Sequence, residues 1–347
     1  MSYRIAFVAS TRNPSRFRHD PSYIYRCENL AHALDALGQR TQLIHLHDFP
    51  MQERFDLVVF HRPRWSLRLA FLLRSLKRFG TTTIADIDDL IFDPRCARYN
   101  PGVMNQLVPL RQVRRLYRRH QAALQKFDRI TVATRPLADE ISRRWPEANT
   151  SIVPNAIFHA WRGQAMEDMS RAKDGQRILT YFPGTRSHDR DFTLIQPAVE
   201  AFLHQYPDIK LRITGHLDVP LRARPGQIEQ RAKVSFTEYA KEFRSAWVNL
   251  APLERTPFNR CKSALKVTEA AYWGVPTLCS AIPDAQRLTE AGAIPVAKEE
   301  DWYGQLEAFL EPDFYHRMTH NLTNRIVQHA DIDQIADDFM NFSGITR

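Results

Sequence analysis

Two cation-rich segments each follow a predicted strand, and the first is YFPGTRSHDRDF. Here a strand ends at a glycine turn made by Gly184, and the hydroxyl of Thr185 can donate to a ligand. Arg186, His188 and Arg190 add three cationic groups before a helix begins. A helix N-terminus beside a glycine turn and several cations has the chemistry of a diphosphate site. The alternative is a solvated polar loop. The segment is neither G-x-G-x-x-G nor a P-loop, so the sequence does not favour nicotinamide or P-loop ATP binding.

The second segment, PFNRCKSALKVTEAAYWGVPTLCS, places two lysines and a glutamate along one predicted helix. Asn259 can cap this helix, whose first turn would hold Cys261, Lys262 and Ser263, with Lys266 and Glu269 one and two turns further on. Exposed amides beside Lys262 would attract phosphate, and the carboxylate of Glu269 can accept two ribose hydroxyls. Lysine and glutamate on a helix usually form a solvated face, so the spacing by itself leaves both interpretations open.

Alternating strand and helix patterns surround both segments. Short apolar runs predict strands that begin near residues 4, 41, 55, 81, 129 and 150, with amphipathic helices between them. After a polar stretch, the alternation restarts with predicted strands near 177, 209, 248 and 275. Strands that alternate with helices predict the α/β class with doubly wound sheets. Ligands of such sheets bind beyond the carboxyl ends of the strands, which is where both segments lie.

Composition predicts a globular protein of about two domains with a basic N-terminal half. The chain has 347 residues, of which 44% are hydrophobic and 25% charged. Residues 1–170 hold 26 Lys and Arg against 16 Asp and Glu, whereas the remainder holds 22 against 23. The basic half suits an anionic partner, which could be a nucleic acid, an acidic membrane surface or an acidic substrate. The four cysteines form no C-x-x-C or zinc pattern, so reduced thiols are expected.

The two segments resemble the nucleotide-sugar glycosyltransferases of family 4, which have the GT-B fold. The resemblance is carried by GTR with the histidine and aspartate after it, and most specifically by K-S-x-x-K-x-x-E-A-A-x-x-G-V-P-T from Lys262 to Thr277. SIVPNAI is similar to the family's segment before the interdomain cleft, with Ala156 in place of the usual glycine. The resemblance therefore implies a nucleotide-sugar donor.

The same resemblance implies a domain organisation, namely two Rossmann-like domains that face a cleft. An acceptor-binding domain would span 1–160 and a nucleotide-sugar-binding domain 176–330, joined by a linker at 161–175. The final helix, within 331–347, would pack back on the first domain.

Donor-binding and catalytic roles also follow from the resemblance. Arg190 and Lys262 would stabilise the leaving diphosphate, and Glu269 would hold the ribose. The remaining donor-binding candidates are Gly184, Thr185, Arg186, His188, Asn259, Cys261, Ser263 and Lys266. Cys261 stands where the family has the first acid of its Glu-x7-Glu pattern, and a thiol cannot accept from sugar hydroxyls as a carboxylate does. The stereochemical outcome is therefore open, with retention favoured over inversion.

Four aspartates, Asp86, Asp88, Asp89 and Asp93, follow or end the fourth predicted strand. Their Asp-x-Asp resembles the metal-binding signature of the other glycosyltransferase fold, GT-A, but a GT-A enzyme should not have a second α/β domain with its own phosphate-binding loop. Asp88 matches in position the histidine that family 4 enzymes place after this strand. We expect no metal and no cofactor. Asp88 would act as a base on the acceptor hydroxyl or orient it, Asp89 would contact the acceptor, and Asp86 would lie inside the sheet. Helix caps or ion pairs are the alternative.

Two basic features of the N-terminal half suit anionic partners. Arg12, Arg16 and Arg18 lie in the loop after strand one, where the family binds its acceptor, and would suit an anionic sugar or a lipid diphosphate. A predicted helix near 109–127 carries a stripe opposite its apolar face, formed by Arg111, Arg115, Arg118 and Arg119. This stripe could attract an anionic membrane surface, or be a solvated face. No nucleic-acid-binding signature is present, so nucleic acid is not expected as a partner.

The sequence therefore predicts a glycosyltransferase that moves a sugar from a nucleotide donor to a glycan or lipid-linked acceptor. The expected setting is biosynthesis of a surface polysaccharide of the lipopolysaccharide, capsule or O-antigen type. No apolar run is long enough to span a bilayer, and MSYRIAFVAS is typical of a first strand, so we expect a cytoplasmic protein with a possible peripheral position on the plasma membrane. A nucleotide-sugar epimerase of the same fold and a non-catalytic docking protein are the alternatives.

Overall fold

The computed structural model describes residues 2–164, 176–184, 188–235 and 238–345. Within these ranges, twelve strands form two parallel sheets of six. The first sheet has the strand order β2-β1-β3-β4-β5-β6. Its strands are β1 (Arg4–Ala9), β2 (Arg40–His45), β3 (Leu57–His61), β4 (Thr82–Ile87), β5 (Arg129–Val132) and β6 (Thr150–Ile152). We call the part of the chain built on this sheet the N-terminal lobe.

The second sheet has the strand order β12-β11-β10-β7-β8-β9. Its strands are β7 (Ile178–Tyr181), β8 (Lys210–Thr214), β9 (Ile228–Arg231), β10 (Val248–Ala251), β11 (Thr277–Ser280) and β12 (Ala293–Val296). The inner strands are short buried runs, as expected for parallel sheets that are covered on both faces. We call the part of the chain built on this sheet the C-terminal lobe.

Helices connect the strands of the N-terminal lobe. They are α1 (Pro21–Tyr23), α2 (Asn29–Ala36), α3 (Leu67–Arg78), α4 (Pro101–Met104), α5 (Leu110–Leu124) and α6 (Arg135–Arg144). A π-helical segment, Ile24–Glu28, makes α1 and α2 one continuous stretch. The stretch ends before Gly38, whose φ of 83° lies in the left-handed region that ends helices.

The C-terminal lobe has the same alternation. Its helices are α7 (Asp189–Thr193), α8 (Gln196–Gln205), α9 (Pro257–Arg260), α10 (Leu265–Tyr272), α11 (Pro283–Arg287), α12 (Asp301–Ala308), α13 (Pro312–Thr319) and α14 (Leu322–Ala330). The prediction of an α/β protein with two Rossmann-like parallel sheets is confirmed. Among the helices of the described residues, none combines the length and the apolar character needed to cross a bilayer.

The last described helix, α15 (Ile332–Ser343), packs against the N-terminal lobe. Its buried Ile335, Ala336 and Phe339 share a hydrophobic cluster with β1 and α2. The rings of Phe339 and Phe7 lie 6.4 Å apart between centroids. The chain therefore crosses from the C-terminal lobe back to the first sheet before it ends.

Two hydrophobic clusters join the lobes. Phe258 and Cys261 of the C-terminal lobe are buried among residues of β4, α5 and α6. In the other cluster, Tyr25 of the N-terminal lobe is buried with Val267 and Tyr272 of the C-terminal lobe. The two lobes are thus packed against each other in both clusters. Of the predicted linker at 161–175, residues 165–175 lie outside the described residues.

Candidate functional site

A cavity of about 290 Å³ lies between the lobes, where strands of both sheets end. Asp88 and Asp89 follow β4, Gly184 follows β7, Leu253 follows β10 and Ser280 ends β11, and all five line this cavity. The carboxyl ends of parallel strands are where open α/β sheets place their ligands. We therefore treat this space, called the interlobe cavity below, as the candidate functional site.

Asp88 is held by a guanidinium on the N-terminal side of the cavity. Arg62 Nε and Nη2 donate to the two carboxylate oxygens of Asp88 over 2.5 and 2.8 Å, and Nη2 also donates to Asp89 over 2.8 Å. Burial raises the pKa of Asp88, but Arg62 and His61 outweigh burial and hold that pKa well below its usual range. A carboxylate whose pKa is lowered is a weak proton acceptor, so this geometry disfavours Asp88 as a general base.

A buried polar network behind Asp88 was missed by the sequence analysis. The carboxylate of Asp86 lies 2.5 Å from Arg26 Nη2 and 2.9 Å from His61 Nδ1. His61 Nε2 lies 2.9 Å from Ser22 Oγ, and Ser22 Oγ donates to Asp88 over 2.5 Å. Burial raises the pKa of Asp86, but Arg26 and His61 together lower it below its usual value. The one sequence signal for this network is that His61 ends a strand beside the strand that carries Asp86.

His188 is fixed on the C-terminal side of the cavity. Gly184, at φ 71°, makes the turn after β7 that the sequence predicts. The imidazole Nδ1 of His188 lies 2.8 Å from Asp191 Oδ2, while Asp191 Oδ1 accepts the Glu254 N–H over 2.8 Å. Asp191 therefore orients the His188 ring and ties it to the loop after β10.

Thr185 and Arg186, both predicted to bind the donor, lie outside the described residues.

Lys262, Ser263 and Lys266 line the interlobe cavity. Lys262 Nζ lies 3.7 Å from Asp89 Oδ1, so a cation of the C-terminal lobe faces an anion of the N-terminal lobe across the cleft. Lys266 Nζ donates to Tyr239 Oη over 2.5 Å and to Glu269 Oε2 over 3.0 Å. The cavity thus contains two ammonium groups that a diphosphate could contact.

Glu269 lies on α10 but does not line the interlobe cavity. Its carboxylate is buried, and it accepts from the Tyr25 hydroxyl over 2.9 Å as well as from Lys266. Burial, and next to it the charge of Glu269, raises the pKa of Tyr25 well above its usual value, so Tyr25 remains a donor. The Tyr25 hydroxyl and Lys266 each occupy one oxygen of this carboxylate, and the ribose contact stays a prediction.

Arg190 is likewise outside the lining of the interlobe cavity. Its guanidinium pairs with Glu254 through Nε at 3.1 Å and Nη2 at 2.8 Å, and half of its side chain is exposed. The structure therefore groups Lys262, Lys266 and His188 but does not bring Arg190 to them. A catalytic role for Arg190 stays a prediction that would need this ion pair to open.

The predicted cap at Asn259 was wrong. Thr256 caps α9, because its Oγ1 accepts the Asn259 N–H over 3.0 Å, and Asn259 lies inside that short helix. The helix that carries Lys266 and Glu269 begins at Leu265, so Lys262 and Ser263 precede it. The buried Asn259 side chain instead donates to the Glu254 carbonyl over 3.0 Å. Sequence spacing could not reveal the break between α9 and α10.

Cys261 is buried against the N-terminal lobe. It packs with Phe258 in the cluster that contains Leu137 and Ile141, and its carbonyl accepts from Thr134 Oγ1 over 2.8 Å. Burial raises the pKa of the Cys261 thiol to about 12, so the thiol stays protonated at neutral pH. Where the family resemblance places a sugar-binding acid, this chain therefore has an apolar interlobe contact.

The predicted acceptor loop is only partly at a cavity. Arg12 lines a second cavity of about 460 Å³ on the N-terminal side, which also contains Asp89. Arg16 and Arg18 belong to a 3-10 helix, Pro14–His19, and line neither the interlobe cavity nor this second cavity. Arg18 Nε pairs with Glu28 over 3.0 Å.

His120 lies at the wall of this second cavity and titrates unusually. Its ring is buried and Nδ1 lies 2.8 Å from the Pro63 carbonyl, which can only accept. Burial, with Arg64, Arg62 and Arg119 nearby, lowers the pKa of His120 to about 3. His120 is therefore neutral in the folded protein at neutral pH.

His120 should make the protein less stable as the pH falls. Its ordinary pKa in the unfolded chain is about 6.5, so below that pH the unfolded chain takes up a proton that the folded protein excludes. Between about pH 7 and pH 5.5 we expect His120 to lower the free energy of unfolding by about 1 kcal/mol. Urea unfolding at both pH values measures this. The His120→Gln variant should lose this part of the pH dependence of the unfolding free energy. The control His204→Gln, at an exposed position, should keep it. Equal pH dependence in both variants would contradict the assignment of this effect to His120.

Across the described ranges, no group of three or more His, Cys, Asp or Glu side chains is arranged to hold a metal ion. A metal-free reaction stays a prediction.

Comparison with known proteins identifies the fold. The sequence matches no protein-family profile and no curated protein sequence. A UDP-forming α,α-trehalose-phosphate synthase from Burkholderia xenovorans superposes with a TM-score of 0.63 at 13% identity, covering 99% of this chain and 99% of its own. A glycosyltransferase from Rickettsia africae superposes with a TM-score of 0.62 at 8% identity, covering 99% of this chain and 98% of its own. Anabaena HepE in complex with UDP and glucose gives 0.58 at 10% identity, with 98% of both chains covered. The chain therefore has the GT-B fold predicted from its sequence.

Proposed function

We propose that this protein is a nucleotide-sugar glycosyltransferase that acts on a glycan or lipid-linked acceptor. The observation that carries the proposal is the interlobe cavity, in which Lys262 and His188 of one lobe face Asp88 and Asp89 of the other. Solved structures of the same fold include a UDP-forming synthase and a complex with UDP and glucose, which makes a uridine diphosphate sugar the first donor to test. We further propose an acceptor from surface-polysaccharide biosynthesis.

In this proposal the C-terminal lobe stabilises the leaving group. The bond between the sugar and the diphosphate breaks, its electron pair goes to the diphosphate oxygen, and the acceptor oxygen bonds to the anomeric carbon. Lys262 and Lys266 line the cavity and would stabilise this developing negative charge, because fixed cations in a cleft stabilise such charge most in the transition state. His188, oriented by Asp191, would hydrogen-bond the same group.

The N-terminal lobe would position the acceptor in this proposal. Asp89 lines the interlobe cavity on this side, while Asp88 is too firmly paired with Arg62 to be an effective base. We therefore favour a retaining reaction in which the acceptor proton passes to the leaving phosphate oxygen, so that no protein base is required.

The proposed function is tested by incubating the purified protein with a panel of nucleotide sugars and measuring nucleotide release, with and without acceptor sugars. UDP binding is measured separately by calorimetry. Release that depends on one donor and rises with acceptor supports the transferase. A donor sugar that changes into its isomer without nucleotide release would instead identify an epimerase, and the absence of any turnover would identify a non-catalytic docking protein.

We also propose that the N-terminal lobe docks on anionic membranes through the stripe on α5. Its four arginines, Arg111, Arg115, Arg118 and Arg119, are exposed as predicted for a cationic face. Arg119 Nε donates to the Trp65 carbonyl just before α3, where Leu67 and Phe71 are 88% and 68% exposed. Exposed apolar side chains beside a cationic stripe match the chemistry of a lipid interface.

Neutralising two arginines of the stripe should weaken membrane binding. For the double variant Arg115→Gln, Arg118→Gln we expect about 30-fold weaker binding to anionic vesicles, from about 1 kcal/mol per lost charge. Co-sedimentation with phosphatidylglycerol vesicles at low salt measures this. The double variant Arg222→Gln, Arg317→Gln removes the same charge from exposed positions of the C-terminal lobe as the control. The stripe would not be the docking surface if both double variants lost the same amount of vesicle binding, or if the native protein bound neutral vesicles as well as anionic ones.

A further inference from the structure

The second cavity, of about 460 Å³, adjoins the interlobe cavity at Asp89, which lines both. A group bound in the second cavity would therefore lie next to a donor bound in the first. Its volume lies within the range of small-molecule sites. The amides of Asn100 and Gln112 and the ring of Phe258 also line it, and such groups contact the hydroxyls and the apolar face of a sugar.

Two of the three arginines that line this cavity form no ion pair among the described residues. Of its three arginines, Arg62 is neutralised by Asp88 and Asp89. Neither Arg12 nor Arg64 has a carboxylate within ion-pairing distance among the described residues. Within the same residues, the one hydrogen bond that the Arg64 guanidinium donates goes to the Ser10 carbonyl. Asp20, the other acid of the lining, caps α1 by accepting the Ser22 N–H, and it remains a negative charge of the cavity that pairs with neither Arg12 nor Arg64 among the described residues.

Arg64 is a half-buried cation near other cations. Burial, and next to it the charge of Arg119, lowers the pKa of Arg64. His120 beside it is neutral and contributes no negative charge. A guanidinium that has lost part of its hydration without gaining a counter-ion is stabilised by any anion that enters the cavity.

We propose that the second cavity is an acceptor subsite that selects a sugar carrying an oxyanion, either a carboxylate or a phosphate, through Arg64 and Arg12. This rests on the proposed function, because the acceptor role follows from the donor role of the adjoining cavity. The oxyanion binds the two guanidinium groups, the sugar hydroxyls face Asn100 and Gln112, and the reacting hydroxyl lies towards Asp89. Arg64 and Arg12 are then specificity-determining residues.

The experiment compares methyl β-glucopyranoside, methyl β-glucuronide and glucose 6-phosphate in NMR titrations of the full-length protein. We expect at least one anionic sugar to bind about ten-fold tighter than the neutral one, because its oxyanion gains a charge-assisted hydrogen bond to a guanidinium group. The carboxylate and phosphate arms distinguish the two oxyanions. Arg64→Gln should remove this preference. Arg12→Gln should reduce the preference and remains informative if the Arg64 variant fails to fold. Arg40→Gln, on the exposed edge strand β2, should keep it.

Three sugars that bind equally, or a preference that survives both cavity variants, would overturn the inference. UDP binding is measured on the same samples so that the two proposals fail separately. If UDP binds and no anionic preference is seen, the oxyanion subsite is wrong and the proposed function stands. If the preference is seen and no nucleotide binds, the oxyanion site stands and its assignment as an acceptor subsite falls with the proposed function.

Discussion

Lys262→Ala is expected to lower kcat for donor-dependent nucleotide release by about 100-fold, the typical cost of removing one group that stabilises charge in a transition state. Lys262 Nζ is a cation of the interlobe cavity that faces the acidic edge of the N-terminal lobe, 3.7 Å from Asp89. Its removal leaves Asp89 paired with Arg62, so the fold should be preserved. Steady-state kinetics with the preferred donor measures the effect, and thermal unfolding checks the fold.

The kinetic pattern of the Lys262 variant distinguishes catalysis from simple binding. If Lys262 acts mainly on the leaving diphosphate, kcat falls much more than the affinity for UDP. Lys262→Arg, which keeps the charge, should restore part of the rate. The matched control is Lys298→Ala, which removes an exposed lysine of the same lobe. Native rates in Lys262→Ala, or an equal loss in both variants, would remove Lys262 from the proposed mechanism.

The architecture was largely predictable because its strands are short apolar runs with helices between them. The runs that became β1, β3, β4 and β7 are buried on both faces of a sheet, and such runs have a clear sequence pattern. The edge strands β9 and β12 escaped identification. IEQR has no apolar alternation, and the proline in AIPV argues against a strand unless the strand lies at an edge.

The site was less predictable because its geometry depends on contacts between distant segments. Sequence position placed Asp88, Asp89, His188 and Lys262 at strand ends or helix starts, and all four line the interlobe cavity. It could not show that Arg62 pairs with Asp88, because the two residues meet only when β3 and β4 become neighbours in the sheet.

The partners of Arg190 and Glu269 could not be predicted for the same reason. Glu254 lies far from Arg190 in the chain, and Tyr25 far from Glu269, yet these partners occupy the two side chains expected to bind the donor. A resemblance transfers residue types but not the partners that a particular chain provides for them.

Cys261 is the clearest departure from the family pattern, and the structure gives it a packing role. The side chain is buried in the cluster that joins α9 to the N-terminal lobe, together with Phe258. Glu140 contributes to raising the pKa of the thiol, so a negative charge at this position is disfavoured by a neighbour as well as by burial. Restoring the acid of the family pattern would therefore place a carboxylate where the lobes make an apolar contact.

Cys261→Glu is accordingly expected to lower the free energy of unfolding by about 3–5 kcal/mol, the usual cost of a buried charge without a partner. Urea unfolding followed by circular dichroism measures this. Cys261→Ala is the matched control: it removes the thiol without adding charge, and about 1–2 kcal/mol should be lost from the small cavity it leaves. Cys261→Glu should also not raise the rate of sugar transfer, because the new carboxylate would not face the donor. A stable Cys261→Glu variant with faster transfer would mean that position 261 contacts the donor sugar, and that the interlobe cluster opens when substrate binds.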